Sequence, residues 1–243
     1  MDPHAMIPHG LALLAYFDGE ASAQLVIRRD DGFEASLPAS HFFRQPAQFS
    51  PIEVAALERC RGAVLDIGAG TGLHSLDLLS QGRAVTAIDI SPQAVEVMAR
   101  RGVPDVHCAD IFHFQGGPFD TLLMLGHGIG IVEDLQGLSR FLAHACKLTR
   151  SGGRLLLDSQ DVRKTDDPHH LAYHEANRRA GEYIGATRLQ FEYAGQAGPY
   201  CGWLHVDPQT LREQAEPAGW ECEIVLEQES GDYLACLTCL QAD

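Results

Sequence analysis

With 243 residues, 45% of them hydrophobic and 21% charged, the chain is long enough for one large globular domain with a substantial core. Its 18 Lys+Arg against 33 Asp+Glu leave a formal net charge of −15. No basic run is longer than two (Arg28-Arg29, Arg100-Arg101, Arg178-Arg179), which argues against a polynucleotide or anionic-membrane partner, since both need clustered cations.

No stretch approaches the roughly 20 apolar residues of a membrane span. The opening MDPHAMIPHG lacks the basic and then apolar character of a secretory leader. The seven cysteines are odd in number and scattered, which reads as reduced thiols in a cytoplasmic protein. Cys236 and Cys239 have CxxC spacing but sit in a strand-like run, where residues three apart face opposite ways, so no metal site is expected there.

Residues 1–59 read as an N-terminal cap segment. Leu11 to Phe17 suits a short helix, and QLVIRRDDGFEASL alternates around Asp31-Gly32, a hairpin signal. Ser50, Pro51 and Glu53 form a helix-start signature. From residue 60 the pattern becomes regular. AVLDI suits a buried parallel strand, and Leu73, Leu76, Leu78 and Leu79 make a helical stripe that stops near Gly82. AVTAIDI is a second strand, and Ser91-Pro92 opens a helix ending near Gly102. DVHCADI and FDTLLML are the third and fourth strands. A helical stripe runs from Leu135 to Leu148, Ser151-Gly152-Gly153 is a turn, and RLLLDS is a fifth strand. At about 160–205 lies a looser, lid-like insertion: a helix capped by Asp167-Pro168, then two strands around a Gly-Gln-Ala-Gly-Pro bend. Asp207-Pro208 starts a last helix, and ECEIVLEQ and YLACLTCL form a terminal hairpin. Alternating strands and helices imply βαβ crossovers and a parallel sheet, here with an antiparallel edge.

Ligands of such sheets bind beyond the strands' C-terminal ends. Asp66, Asp89, Asp110 and Asp158 all fall there, as does Gly126-His127-Gly128. LDIGAGTG places glycines at 68, 70 and 72, one residue short of a dinucleotide fingerprint, and no Gly-Lys-Ser/Thr follows as in a P-loop. A carboxylate at Asp66 repels a pyrophosphate and favours a cation, while open loop N–H groups suit a carboxylate. A nucleoside bearing a zwitterionic amino acid meets both demands.

VLDIGAGTG resembles the first motif of class I S-adenosylmethionine-dependent methyltransferases. Asp89 in VTAIDIS resembles their second-strand acid, Asp110 in HCADI their third-strand acid, FDTLLML their fourth motif, and LTRSGGRLLLD the turn and strand after it. The resemblance spans residues 60–160 closely and 203–240 in layout. It implies a Rossmann-like three-layer α/β sandwich over 60–243 with a mostly parallel seven-stranded sheet, S-adenosyl-L-methionine as cofactor, and a small-molecule acceptor. It also implies site roles. Gly68, Ala69, Gly70 and Gly72 would bring backbone close to the cofactor, and Asp89 would hold the ribose hydroxyls. Asp110 would face the adenine amino group, with Ile90 and Ile111 flanking the ring, and Asp66 would favour the ammonium. Gly126 lies at the methyl end, and Arg44 is a candidate partner for the cofactor's carboxylate. Two rival readings stay open: an NAD-dependent oxidoreductase on a related fold, and a non-catalytic S-adenosylmethionine-binding regulatory module.

The fourth motif continues as MLGHGIG and lacks the Asn/Asp-Pro-Pro-aromatic run of nucleic-acid amino-methyltransferases. His127 sits where methyl group and acceptor meet and is the candidate general base, with a structural role as the alternative. His74 follows the glycine loop. His170 and His174 share a helix face, but no third ligand is evident. Tyr16, His41, Phe42, Phe43, Tyr173 and Trp203 are candidates for the acceptor pocket, or ordinary core.

Overall fold

The computed structural model describes residues 1–240. The N-terminal segment folds as α1 (Ile7–Phe17), a hairpin of β1 (Gln24–Arg29) and β2 (Glu34–Pro38), and α2 (Pro51–Arg59). Strands and helices then alternate through β3 (Ala63–Ile67), α3 (Leu73–Ser80), β4 (Ala84–Asp89), α4 (Pro92–Arg101), β5 (Val106–Cys108), β6 (Phe119–Met124), α5 (Leu135–Leu148) and β7 (Thr149–Gln160). Next come α6 (Pro168–Ala180), β8 (Ala186–Tyr193), the short β9 (Gln196–Ala197) and β10 (Cys201–Leu204). The chain closes with α7 (Pro208–Ala215) and the hairpin β11 (Trp220–Glu227) and β12 (Asp232–Cys239).

One sheet has seven strands in the order β11-β12-β7-β6-β3-β4-β5. Its β3, β4, β5, β6 and β7 are parallel, and β12 pairs antiparallel with both β7 and β11. Strands buried on both faces must be apolar in both directions. Leu65, Ile67, Leu122, Leu155 and Leu157 pack with α5 and α7 on one side, whereas Val64, Val85, Leu123 and Leu156 pack with α2 and α3 on the other. The same alternation separates the two CxxC cysteines. Cys239 joins the α5 side and Cys236 the α2 side, so the pair shares no site.

Local chemistry sets the helix starts. Ser50 accepts from the Glu53 amide at 3.2 Å while the Glu53 carboxylate accepts from the Ser50 amide at 2.8 Å, closing a capping box. Ser91, Asp134, Asp167 and Asp207 cap their helices likewise. The expected break at Ser151-Gly152-Gly153 is a kink inside β7. Gly152 takes φ 67° and the β6–β7 register shifts between Phe119 and Thr121, so pairing resumes beyond it.

A second, antiparallel sheet runs β10-β8-β1-β2, with β9 on β8. It joins the N-terminal hairpin to the insertion: Ile27 of β1 stands opposite Phe191 of β8. The two segments are far apart in sequence yet form one layer over the C-terminal ends of the parallel strands.

Candidate active site

Between the two sheets lies a cavity of about 700 Å³. Asp66, Gly68, Ala69, Gly70, Asp89, Ile90, Asp110, Ile111, Gly126, His127 and Arg44 all line it. Gly72 does not. A Cβ there would stand 2.9 Å from the Val103 side chain and 3.2 Å from Met98, so this glycine lets α3 pack against the next layer.

The glycine loop is open for a different reason than its pattern suggests. Gly68 and Gly70 take φ 68° and 58°, and a Cβ at either would meet nothing within 4 Å. Their amides are already used. Gly68 and Ala69 donate to the Ile88 carbonyl at 2.9 and 3.0 Å, Gly70 donates to Asp89 Oδ2 at 2.9 Å, and Gly72 donates to the Ala69 carbonyl at 2.8 Å. These four N–H groups therefore do not form the anion cradle expected of the loop; the loop offers bare surface for close approach.

The charge at this mouth is negative and poorly compensated. Asp66 is buried, and its carboxyl accepts from Ser75 Oγ at 2.6 Å. Asp89 accepts from the amides of Gly70 and Ser91 (2.8 Å for the latter), and Asp158 accepts from the His127 amide at 2.9 Å. Burial pushes all three carboxyls above the ordinary range despite these bonds. A cationic group placed among them relieves that penalty. Asp110 is less enclosed and braces its own turn, accepting from the Phe112 amide at 3.0 Å.

His127 sits on the loop after β6 with φ 58°, a left-handed conformation that costs a non-glycine residue energy. Its Nε2 is 3.2 Å from Asp232 Oδ1. Burial disfavours its cation, but the Asp232 and Asp158 carboxylates outweigh that and hold its pKa above the usual histidine value. The His205 ring stands 5.7 Å away, edge to face, with a buried Nδ1 that has no hydrogen-bond partner. Burial, aided by the nearby His127, pushes the His205 pKa down to about 3. Neither Asp232 nor His205 was singled out from sequence. Both lie on the far segments that fold back over the sheet, and no local pattern marks them.

Arg44 is held by the protein. Its two terminal nitrogens donate to Glu53 at 3.0 and 2.9 Å, and its Nε to the His41 carbonyl at 2.8 Å. His74 Nε2 reaches the same Glu53 at 2.9 Å. Instead of a free guanidinium awaiting a carboxylate, Arg44 is half of an ion pair in the cavity wall. Glu53 loses solvation by burial, yet His74, the Ser50 amide and Arg44 pull its pKa down to about 2.

Of the candidate acceptor residues, His41, Phe42 and Trp203 line the cavity. Tyr16 and Phe43 pack on one another instead, their tilted rings 4.8 Å apart, and Tyr173 covers the Arg29 guanidinium and bonds Asp30. His170 contacts Arg29, and no metal-ligating cluster occurs among the described residues.

Residues 64–153 match a family described as a methyltransferase domain. A crystal structure of a SAM-dependent methyltransferase from Bacteroides fragilis, in complex with S-adenosyl-L-homocysteine, is 32% identical, with a TM-score of 0.85 over 98% of this chain and 96% of that one. A demethylmenaquinone methyltransferase of Tropheryma whipplei is 30% identical over 151 residues, 59% of this chain and 61% of its own length. A ubiquinone biosynthesis O-methyltransferase of Xylella fastidiosa is 34% identical over 107 residues, 40% of this chain and 41% of its own. The chain thus spans about three-fifths or less of the length of these curated relatives.

Proposed function

The chain belongs to the S-adenosylmethionine-dependent methyltransferases, and from that premise we propose that it methylates a small-molecule acceptor in the cavity between its two sheets. The observation that carries this reading is the set of three buried, under-compensated carboxyls, Asp66, Asp89 and Asp158, around a glycine loop with open space above it.

The residues present fit the cofactor. Gly68, Ala69 and Gly70 leave room for close approach. Asp89, already oriented by two amides, accepts ribose hydroxyl bonds. Asp110 would face the adenine amino group, with Ile90 and Ile111 lining the same cavity, and Asp66 would favour the ammonium. Gly126 keeps the methyl end uncrowded, since a Cβ there meets nothing within 4 Å. When bound, S-adenosylmethionine would supply an electrophilic methyl group. The chain contributes alignment, exclusion of water and a proton acceptor. His127 would take up the acceptor's proton, and the resulting cation would be stabilised by Asp232, 3.2 Å from its Nε2, and by Asp158.

Two relatives are named for quinone-pathway compounds, which supports a small-molecule acceptor. The acidic charge supports a substrate other than nucleic acid. No described helix is long and apolar enough to cross a membrane. The unpaired thiols support a cytoplasmic setting. We read residues 1–59 as a cap and about 160–205 as a lid-like insertion on a methyltransferase domain of 60–243, the two joined through β1 and β8. Limited proteolysis tests this cover. Protection of both segments by S-adenosylhomocysteine is expected, and equal cutting with and without it would count against the reading. Incubation with S-adenosylmethionine and a broad panel of small acceptors should release S-adenosylhomocysteine. Cofactor binding without turnover on any of them would instead favour a regulatory module.

A further inference from the structure

The second sheet has one charged face and one largely apolar face, on which Arg29, at the end of β1 and paired with Asp31 outside the cavity lining, is the charged exception. Register places Leu25 and Ile27 of β1, Leu189 and Phe191 of β8, and Trp203 of β10 on the same side, and all five line the cavity. The opposite side carries Arg28, ion-paired to Glu34 and Glu192. A sheet face of this kind is normally covered by another layer. Here α1 covers part, and the remainder faces the cavity.

Trp203 is seated deliberately. A Cβ at Gly130 would lie 2.0 Å from its ring, so only glycine leaves space for the indole, whose ring meets Phe191 edge to face at 5.7 Å. The chamber's carboxyls lie off this face: Asp66, Asp89, Asp110, Asp158 and Asp232 belong to the parallel-sheet wall and Glu53 to α2, and the second sheet lends the lining no charged residue. Arg44 is the one arginine or lysine among the lining residues and is committed to Glu53. The amino group of Met1 lies 3.4 Å from Glu133, and His127 is paired with Asp232. Burial keeps His9 and His205 neutral at pH 7, with pKa values pushed to about 4 and about 3. An anionic acceptor finds no uncommitted cation here. A cationic one laid on this face would meet no carboxylate of the second sheet, and burying a charge without a partner is costly.

We infer that the acceptor is an uncharged, largely apolar ring compound bearing a hydroxyl, laid on the Leu25–Ile27–Phe191–Trp203 face with that hydroxyl turned toward His127. This rests on the methyl-transfer reading above and specifies the substrate class of the same site. Trp203 is then a specificity-determining residue.

Three matched phenols test it: 3-tert-butylphenol, its cationic isostere 3-hydroxyphenyltrimethylammonium, and the anion 3-hydroxybenzoate. Each is titrated into protein saturated with S-adenosylhomocysteine, binding of which is measured first. The neutral phenol is expected to bind at least tenfold more tightly than either ion. Trp203→Leu should weaken the neutral phenol about tenfold while S-adenosylhomocysteine affinity stays within twofold. Ile27→Lys should reverse the order of the neutral and anionic probes. Either ion binding as well as the neutral phenol, or no phenol binding to the cofactor-loaded protein, overturns the inference. Failure of S-adenosylhomocysteine itself to bind would overturn the parent reading instead.

Discussion

The two walls of the cavity solve opposite problems. The mouth of the parallel sheet buries carboxyls that would be more stable in water; the antiparallel sheet presents an apolar face that would be more stable covered. Each is a local defect, one electrostatic and one hydrophobic. A charged nucleoside beside the first and an uncharged ring on the second relieve both. Sites commonly hold unfavourable groups in this way, and stability is given up where binding will repair it.

If the walls differ as described, variants on each should fail in different ways. The largest effect is expected at the junction. His127→Ala should lower kcat about 100-fold, the low end of general-base contributions, with cofactor affinity nearly unchanged. A fall of less than threefold would assign His127 to loop structure. Asp232→Asn should act through the same ring. Removing that charge lowers the raised pKa of His127, so the alkaline-going limb of the kcat/KM profile should move to lower pH, with a reduced plateau. An unshifted limb would separate Asp232 from the base.

The carboxyl wall also predicts stability changes of opposite sign. Glu53 has a depressed pKa of about 2, so its stabilising contribution is complete above the ordinary carboxylate range and is lost as pH falls toward 2. Glu53→Gln should cost about 2 kcal/mol at pH 7, because it leaves Arg44 and His74 unpaired, and the deficit should shrink below pH 4. A pH-independent deficit would point to packing. Asp66 has a raised pKa, so the native state gains stability as pH falls through it. Asp66→Asn should therefore raise the apo-protein Tm by about 3 °C at pH 8, with the gain vanishing at low pH, while weakening cofactor binding. A lower Tm at pH 8 would remove Asp66 from the group of strained carboxyls.

Much of the parallel half was legible from the chain. Short apolar runs ending in aspartate gave β3, β4 and β7, and Ser50, Ser91, Asp167 and Asp207 marked their helices, because capping is a contact between residues two or three apart. The second sheet was not legible. Pairing of Ile27 with Phe191 depends on two distant strands sharing an apolar face, and nothing local specifies the partner. The same limit hid the His127–Asp232 contact and the neutral His205. Arg44 shows the complementary error. Its position before the first core strand placed it correctly at the cavity, but the residue it bonds, Glu53, was visible only as a capping group. Likewise the glycine loop's spacing revealed close approach but not that its amides were spent on Ile88 and Asp89.

The buried carboxyls are there to hold the cofactor, and Asp89 is where that role is most sharply tested. Calorimetric titration of the wild-type protein and Asp89→Ala with S-adenosylhomocysteine tests it directly. One saturable site in the wild type and at least tenfold weaker binding in the variant are expected, as two charge-assisted hydrogen bonds are lost. Equal affinity in the two proteins, or no binding to the wild type, would contradict the account.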